Sequence, residues 1–233
     1  MRREDWFLLK KVNKAIRDYN MIADGDRIAV AVSGGNDSLS LLRLLKLRQN
    51  FVKERYELAA VHIIGDARGP NDCQAHPPLV KWLAESGVEY VIETMQLPED
   101  EPLPLPCNRC TWNRRKTLFL TAQRLGCCKV AFGHHADDIV ETALLNLFYQ
   151  GRMETMEPCA PYFDGIFFLI RPLIYIYKRE LTCFAQASNF PPPPPACLRS
   201  DTSRRKLMEE ILRLAEKDCP HIRNNVFKTA MRR

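Results

Sequence analysis

The chain is most easily bounded by what it does not contain. Across 233 residues it has no apolar run of about 18, which excludes a membrane-spanning helix. Its opening, Met1-Arg2-Arg3-Glu4-Asp5, has neither the apolar stretch nor the small-residue cleavage site of a secretory signal, so the cytoplasm is the expected compartment. The Walker loop G-x-x-x-x-G-K-S/T and the Rossmann pattern G-x-G-x-x-G are both missing, which excludes two common phosphate-binding loops. A second C-x-x-C is missing too, which counts against a four-cysteine zinc site. There is no internal repeat, and low complexity is confined to the prolines at 191–195, expected to form a stiff connector leading to Cys197.

What is present describes an ordinary globular chain, 46% hydrophobic and 27% charged. The net charge of +6 is carried in clusters: Arg2-Arg3, Lys10-Lys11, Arg114-Arg115-Lys116, Arg204-Arg205-Lys206 and Arg232-Arg233. Any one cluster suits a solvated helix face, but together they favour an anionic partner. Nine cysteines form an odd set with no secretion signal, so a disulfide framework is a poor account of them. Cys73, Cys127, Cys128, Cys159, Cys183 and Cys219 read as buried, inert side chains.

Hydrophobic periodicity predicts strands alternating with helices. An amphipathic helix is expected over 5–19, its apolar face formed by Trp6, Leu9, Val12 and Ile16. Strands are expected at 27–32, 57–64, 88–94, 129–133 and 166–170. Helices are expected at 39–47, 78–86, 111–125, 136–149, 178–187 and 202–217, with a short one near the end. The pattern predicts an α/β fold with a doubly wound, mainly parallel five-stranded sheet and added N- and C-terminal helices. The expected division is an N-terminal helix at 1–24, a central α/β domain at 25–190 that includes the C-x-x-C, and a C-terminal segment at 191–233.

The order at 27–47 is strand, glycine loop, helix. Ser33-Gly34-Gly35-Asn36-Asp37-Ser38 therefore offers backbone N–H groups at the positive end of a helix, with Ser33 and Ser38 as added hydroxyl donors. Asp37 would repel a phosphate unless Mg²⁺ lay between them. Gly133-His134-His135-Ala136-Asp137-Asp138 ends the fourth expected strand at the same sheet edge. There Asp137 or Asp138 is able to hold Mg²⁺, and His134 or His135 to move protons or contact phosphate; capping of the next helix is the plainer role. Cys107 and Cys110 end a proline-rich loop in C-x-x-C spacing, which by itself is compatible with zinc, an iron–sulfur cluster, redox chemistry or chance.

The hexapeptide at 33–38 resembles the S-G-G-x-D-S signature of PP-loop ATPases, the N-type ATP pyrophosphatases. It departs from them at Asn36, where many members carry lysine. With C-x-x-C, G-H-H-x-D-D, the stretch 146–151 (NLFYQG), Ile170-Arg171-Pro172-Leu173, and Cys197 followed by Arg204-Arg205, the chain is similar to the tRNA 2-thiocytidine synthetase branch over roughly residues 10–215. That resemblance implies ATP, Mg²⁺ and a 4Fe–4S cluster on Cys107, Cys110 and Cys197, with one iron left open for sulfide. It implies adenylation of a pyrimidine C2 oxygen followed by its replacement with sulfur. A tRNA substrate, a sulfur donor such as a cysteine desulfurase and a homodimer belong to the same expectation.

The expected site thus comprises Ser33, Gly34, Gly35, Asn36, Asp37, Ser38, Gly133 and His134 for ATP, and Asp37, His135 and Asp137 for catalysis. Asp37 and Asp137 are the expected Mg²⁺ ligands; Arg114, Arg115, Lys116, Arg204 and Arg205 are expected to meet tRNA. Two other functions suit parts of the pattern: the same chemistry on a small-molecule amide or another base, and a non-enzymatic redox sensor.

Overall fold

A computed structural model describes residues 3–69, 71, 73–195 and 204–232. Its sheet is built from β1 (Arg27–Ala31), β2 (Glu57–Ile64), β3 (Glu89–Thr94), β4 (Lys129–Ala131), β5 (Cys159–Tyr162) and β6 (Phe167–Ile170). The helices are α1 (Arg3–Asp18), α2 (Asn36–Arg48), α3 (Pro77–Glu85), α4 (Cys107–Arg124), α5 (Ala136–Gln150), α6 (Lys178–Gln186), α7 (Arg204–Ala215) and α8 (Ile222–Ala230). Among the described residues no helix is long and apolar enough to cross a membrane.

The strand order is β3-β2-β1-β4-β6-β5, and every pairing but the last is parallel. Central strands of a parallel sheet are covered on both faces and so read as continuous apolar runs, as Ile28, Ala29 and Val30 do here, all fully buried. One face is covered by α1, α2, α3 and α6 through Leu9, Val12, Leu41, Leu45, Leu83 and Phe184. The other is covered by α4 through Leu118, Phe119 and Ala122. A third cluster joins α5 to α7 through Val140, Leu144, Met208 and Leu212.

The order of the strands fixes where a ligand can enter. Chain direction along the sheet reverses between β1 and β4, so their following connections diverge and leave a crevice at the carboxyl edge. The loop 33–38 follows β1, and Gly133-His134-His135 follows β4.

Four details differ from the sequence expectation. The sheet has six strands: β5 is a short antiparallel edge strand containing Pro161, a residue tolerated where one side of a strand is unpaired. α4 begins at Cys107, so C-x-x-C forms its first turn and does not lie in the preceding loop. Pro106 at the N-cap supplies extended backbone, and a helix start needs no N–H there. Trp6 is 44% exposed, because Leu8, Ala15 and Ile16 complete the buried face of α1 without it. Of the cysteines read as buried, Cys127 is; Cys128 and Cys183 are exposed and Cys73, Cys159 and Cys219 are partly exposed.

Candidate active site

The loop 33–38 is closed by its own hydroxyls. Ser38 O–H donates to Gly35 O at 2.8 Å, while Ser38 Oγ accepts from Ser33 N–H and Ser33 O–H, each at 3.2 Å. Gly35 N–H donates to Ser33 Oγ at 3.3 Å. The serines therefore hold the curve of the backbone, and the first-turn N–H groups of α2, which have no partner within a helix, face the crevice. Gly34 is required twice over: its φ is +89°, and a Cβ there would stand 2.9 Å from Pro194 Cδ. Gly35 meets nothing closer than 3.6 Å and serves as the N-cap of α2.

Gly133 brings the second segment against this loop. A Cβ on it would lie 3.1 Å from the backbone of Asp37 and Ser38, tighter than an ordinary contact, so glycine lets the end of β4 approach the first turn of α2 without displacing it. Ser33, Asp37, Ser38, Gly133, His134 and Asp138 then line one cleft of about 390 Å³. Thr111, Arg114 and Arg115 of α4 form its opposite wall. Arg114 Nη2 donates to Ile63 O at 3.1 Å at the end of β2, which ties α4 to the sheet edge.

His134 is held from behind. Its ring lies parallel to Phe132 at 5.6 Å, and Arg171 Nε donates to His134 Nδ1 at 3.2 Å. A guanidinium has only donors, so Nδ1 accepts and the ring proton sits on Nε2. Burial, with the charges of Arg171, Arg205 and Arg115 added, pushes the imidazole down to about 3, so the ring is neutral near pH 7. Arg171 is itself buried, also donates from Nη1 to Glu157 O, and is pushed down to about 10 by burial while staying protonated.

His135, also buried, sits among carboxylates: its Nε2 is 3.8 Å from Asp37, and its Nδ1 is 3.4 Å from Asp138 and 3.8 Å from Asp137. Its backbone N–H donates to Asp138 Oδ2 at 2.9 Å, so Asp138 caps α5. Asp137 Oδ2 accepts the Lys178 backbone N–H at 2.6 Å and Asp137 Oδ1 accepts from Arg223 Nη1 at 2.8 Å. Asp37 is more open and pairs with the Lys178 ammonium. A second cleft of about 670 Å³, between α5, α6 and α8, shares Asp37 and Asp138 with the first and includes His135 and Glu141. Burial raises Glu141 to about 7.

Cys107 is exposed and Cys110 is partly exposed, one helical turn apart on the α4 turn that precedes Thr111. Cys197, the third expected ligand, lies outside the described residues. Among the described residues no group of three His, Cys, Asp or Glu is arranged to hold a metal. The proline run leads toward the same place: His76 Nε2 donates to Pro192 O at 3.0 Å, and Pro194 and Pro195 border Ser33 and Arg114.

The expected RNA contacts fall into two groups. Arg114 and Arg115 line the cleft, while Lys116 is exposed. Arg204 and Arg205 are exposed at the start of α7, Arg204 lying over the Tyr149 ring at 4.5 Å and Arg205 pairing with Asp138 at 3.3 Å. Sequence reasoning gave no site role to Trp112, Lys178 or Arg223, nor to Arg171, which entered only as part of the Ile170–Leu173 motif. Trp112 is 51% exposed, with Arg109 at 5.2 Å and Lys116 at 5.5 Å from its ring, and its place beside the C-x-x-C was the available signal. The other three reach the site over long sequence separations, which no spacing rule reports.

A glycine loop after β1, a glycine approach from β4 and an arginine-walled crevice between them are an arrangement of the PP-loop class. The PP-loop domain model matches residues 8–191, and the chain belongs to that family. Within it the chain belongs with the tRNA-cytidine(32) 2-sulfurtransferases and is an enzyme of the sulfurtransferase type. It is 37% identical to the protein of that name from Delftia acidovorans over 230 residues, covering 95% of this chain and 71% of that one. It is 38% identical to the one from Syntrophotalea carbinolica over 228 residues, covering 94% and 85%. The U34-tRNA thiolase NcsA from Methanococcus maripaludis, solved with its 4Fe–4S cluster, shares the fold at a TM-score of 0.72 and 22% identity, over 97% of this chain and 78% of that one.

Proposed function

We propose that the chain uses ATP to activate the C2 oxygen of a tRNA cytidine, at position 32 as in its relatives' names, and replaces it with sulfur. The observation that carries this reading is one cleft bordered by the 33–38 loop, by Gly133-His134 and by the helix whose first turn holds Cys107 and Cys110. A pyrimidine C2 oxygen is a poor leaving group. Its attack on the α-phosphorus forms an O–P bond and breaks the bond to the β-phosphate, releasing pyrophosphate. Sulfur then adds at C2, and AMP departs carrying the former C2 oxygen.

The loop's N–H groups and the Nε2–H of His134 are donors suited to the charge that develops on the phosphates. Arg115, on the opposite wall, adds a fixed positive charge. Asp37, at 29% side-chain exposure, offers the hard oxygen ligands that Mg²⁺ takes. Asp137 has both oxygens engaged and suits a supporting role beside it.

The donor set at the start of α4 also fits the cluster its family implies. Two thiols one turn apart supply soft ligands, and the third would come from Cys197, which follows Pro195 by two residues, a span of at most about 7 Å. Such a cluster, when bound, would supply sulfide through the iron that three cysteines leave without a protein ligand. Trp112, with Arg109 and Lys116 around it, offers a stacking surface for an unpaired base, and Arg204 on Tyr149 offers another.

The test is to supply RNA carrying a heavy-oxygen label at the C2 position of that cytidine. Recovery of the label in AMP is the expected outcome. Label remaining in RNA while pyrophosphate accumulates would sink the adenylation scheme.

A further inference from the structure

We infer that Lys178 is the cation that meets the ATP phosphates at the 33–38 loop; the inference rests on the nucleotide reading of that loop. The segment Ser33-Gly34-Gly35-Asn36-Asp37-Ser38 contains one carboxylate and no basic residue. From the loop's own residues a polyphosphate would meet only N–H and O–H dipoles, and Asp37 would oppose it wherever Mg²⁺ did not lie between them. The side chain that answers this imbalance is supplied from 141 residues further along the chain. Lys178 Nζ donates to Asp37 Oδ1 at 2.7 Å and to Asp37 Oδ2 at 2.6 Å.

The base of this lysine is fixed and its tip is not. Lys178 is the first residue of α6, and its backbone N–H is held by Asp137. Arg223 neutralises the other oxygen of Asp137, and Glu180 accepts the Tyr177 N–H at 2.9 Å, so the start of α6 is tied from both sides. The lysine side chain, by contrast, is 51% exposed. It lines the 670 Å³ cleft, and Asp37 borders both that cleft and the 390 Å³ one, so the ammonium stands at the partition between them.

An ammonium on a flexible stem is a point charge with several donors, able to pass from a carboxylate to a phosphate oxygen close by. At the loop it would neutralise charge that builds on pyrophosphate as its bond to the α-phosphorus breaks. Arg115 brings its charge from the α4 wall of the cleft and Lys178 from the start of α6, so the two approach the loop from different sides.

The experiment is steady-state pyrophosphate release with ATP and unmodified tRNA, beside thermal unfolding, for the wild type, Lys178→Met and the double variant Lys178→Met/Asn36→Lys. Lys178→Met should lower kcat/KM for ATP roughly ten- to hundredfold. Its Tm should stay within about 2 °C, because an exposed ion pair contributes little to stability. The double variant should recover at least about tenfold of the lost kcat/KM, since it returns an ammonium to the loop without rebuilding the tie between α6 and α2. Unchanged kcat/KM in Lys178→Met would overturn the assignment. So would a loss that Asn36→Lys does not repair, which would leave Lys178 as a tether only. Wild-type protein that fails to bind ATP in a direct titration would instead overturn the nucleotide reading, and this assignment with it.

Discussion

The loop after β1 and the helix after β3 face the same cleft by different means. The loop is a backbone device: Ser33 and Ser38 spend their hydroxyls on its own curvature, Gly34 sits at positive φ under Pro194, and Gly133 admits β4 at close range. The start of α4 is a side-chain device: Cys107 and Cys110 lie one turn apart on one side of the helix, and Trp112 and Lys116 lie one turn apart on another side. A backbone site fails when the chain is moved, whichever substrate is present. A side-chain site fails one function at a time.

The sharpest way to separate the two is Cys107→Ser. Formation of 2-thiocytidine should be lost entirely, while tRNA-stimulated pyrophosphate release stays within about twofold of wild type. Equal loss of both activities would dissolve the distinction. Gly133→Val attacks the other device, forcing the β4 end away from Asp37, where a Cβ has only 3.1 Å. A displacement of ~1 Å at a reacting centre costs about a hundredfold in rate, and here both activities should fall together.

Trp112→Ala probes the RNA-facing part of α4. Loss of one stacked base is worth about 1–3 kcal/mol, so tRNA should bind roughly five- to hundredfold more weakly with its salt dependence unchanged. Lys116→Glu should instead reduce the salt slope by about one unit or more. If Trp112→Ala leaves tRNA affinity intact, the stacking surface is elsewhere.

The smallest effect concerns the wall behind the loop. Glu141 is raised to about 7 in the folded chain, above its ordinary value of 4.5, so the folded state holds its proton more tightly than the unfolded state. Its contribution to stability is therefore present below pH 4.5 and is lost as pH rises through about 7. Glu141→Gln should raise Tm at pH 8 by a few degrees, about 2–4 °C, and leave it nearly unchanged at pH 4. Equal shifts at both pH values would count against burial as the cause.

How far the sequence reports such a site depends on the device. The 33–38 loop and the Gly133-His134 turn were legible because each is a local strand-to-helix pattern, and the sheet carried both to one edge as parallel topology requires. β5 was not legible: Cys159–Tyr162 is short, contains a proline and becomes a strand by pairing with β6. The C-x-x-C was found but placed in a loop, since the run of prolines before it hides a helix that begins at Cys107. The contacts that complete the site, Arg171 on His134, Lys178 on Asp37 and Arg223 on Asp137, join residues 37, 141 and 86 positions apart. Such pairs follow from the packing of α6 and α8 and the end of β6 around the crevice, and periodicity carries no trace of them. The expected burial of most cysteines failed for a related reason: Cys73, Cys128 and Cys219 lie in connections between elements, where apolar periodicity gives no signal of burial.

The central claim is that ATP cleavage at the 33–38 loop drives sulfur into a tRNA cytidine. Its most direct test is nucleoside mass spectrometry of unmodified tRNA incubated anaerobically with the cluster-reconstituted protein, ATP, Mg²⁺ and sulfide, with pyrophosphate measured in parallel. The account predicts 2-thiocytidine at position 32 and pyrophosphate in equal amount, both absent without ATP. Pyrophosphate release that does not respond to tRNA, with the nucleoside profile unchanged, would contradict it.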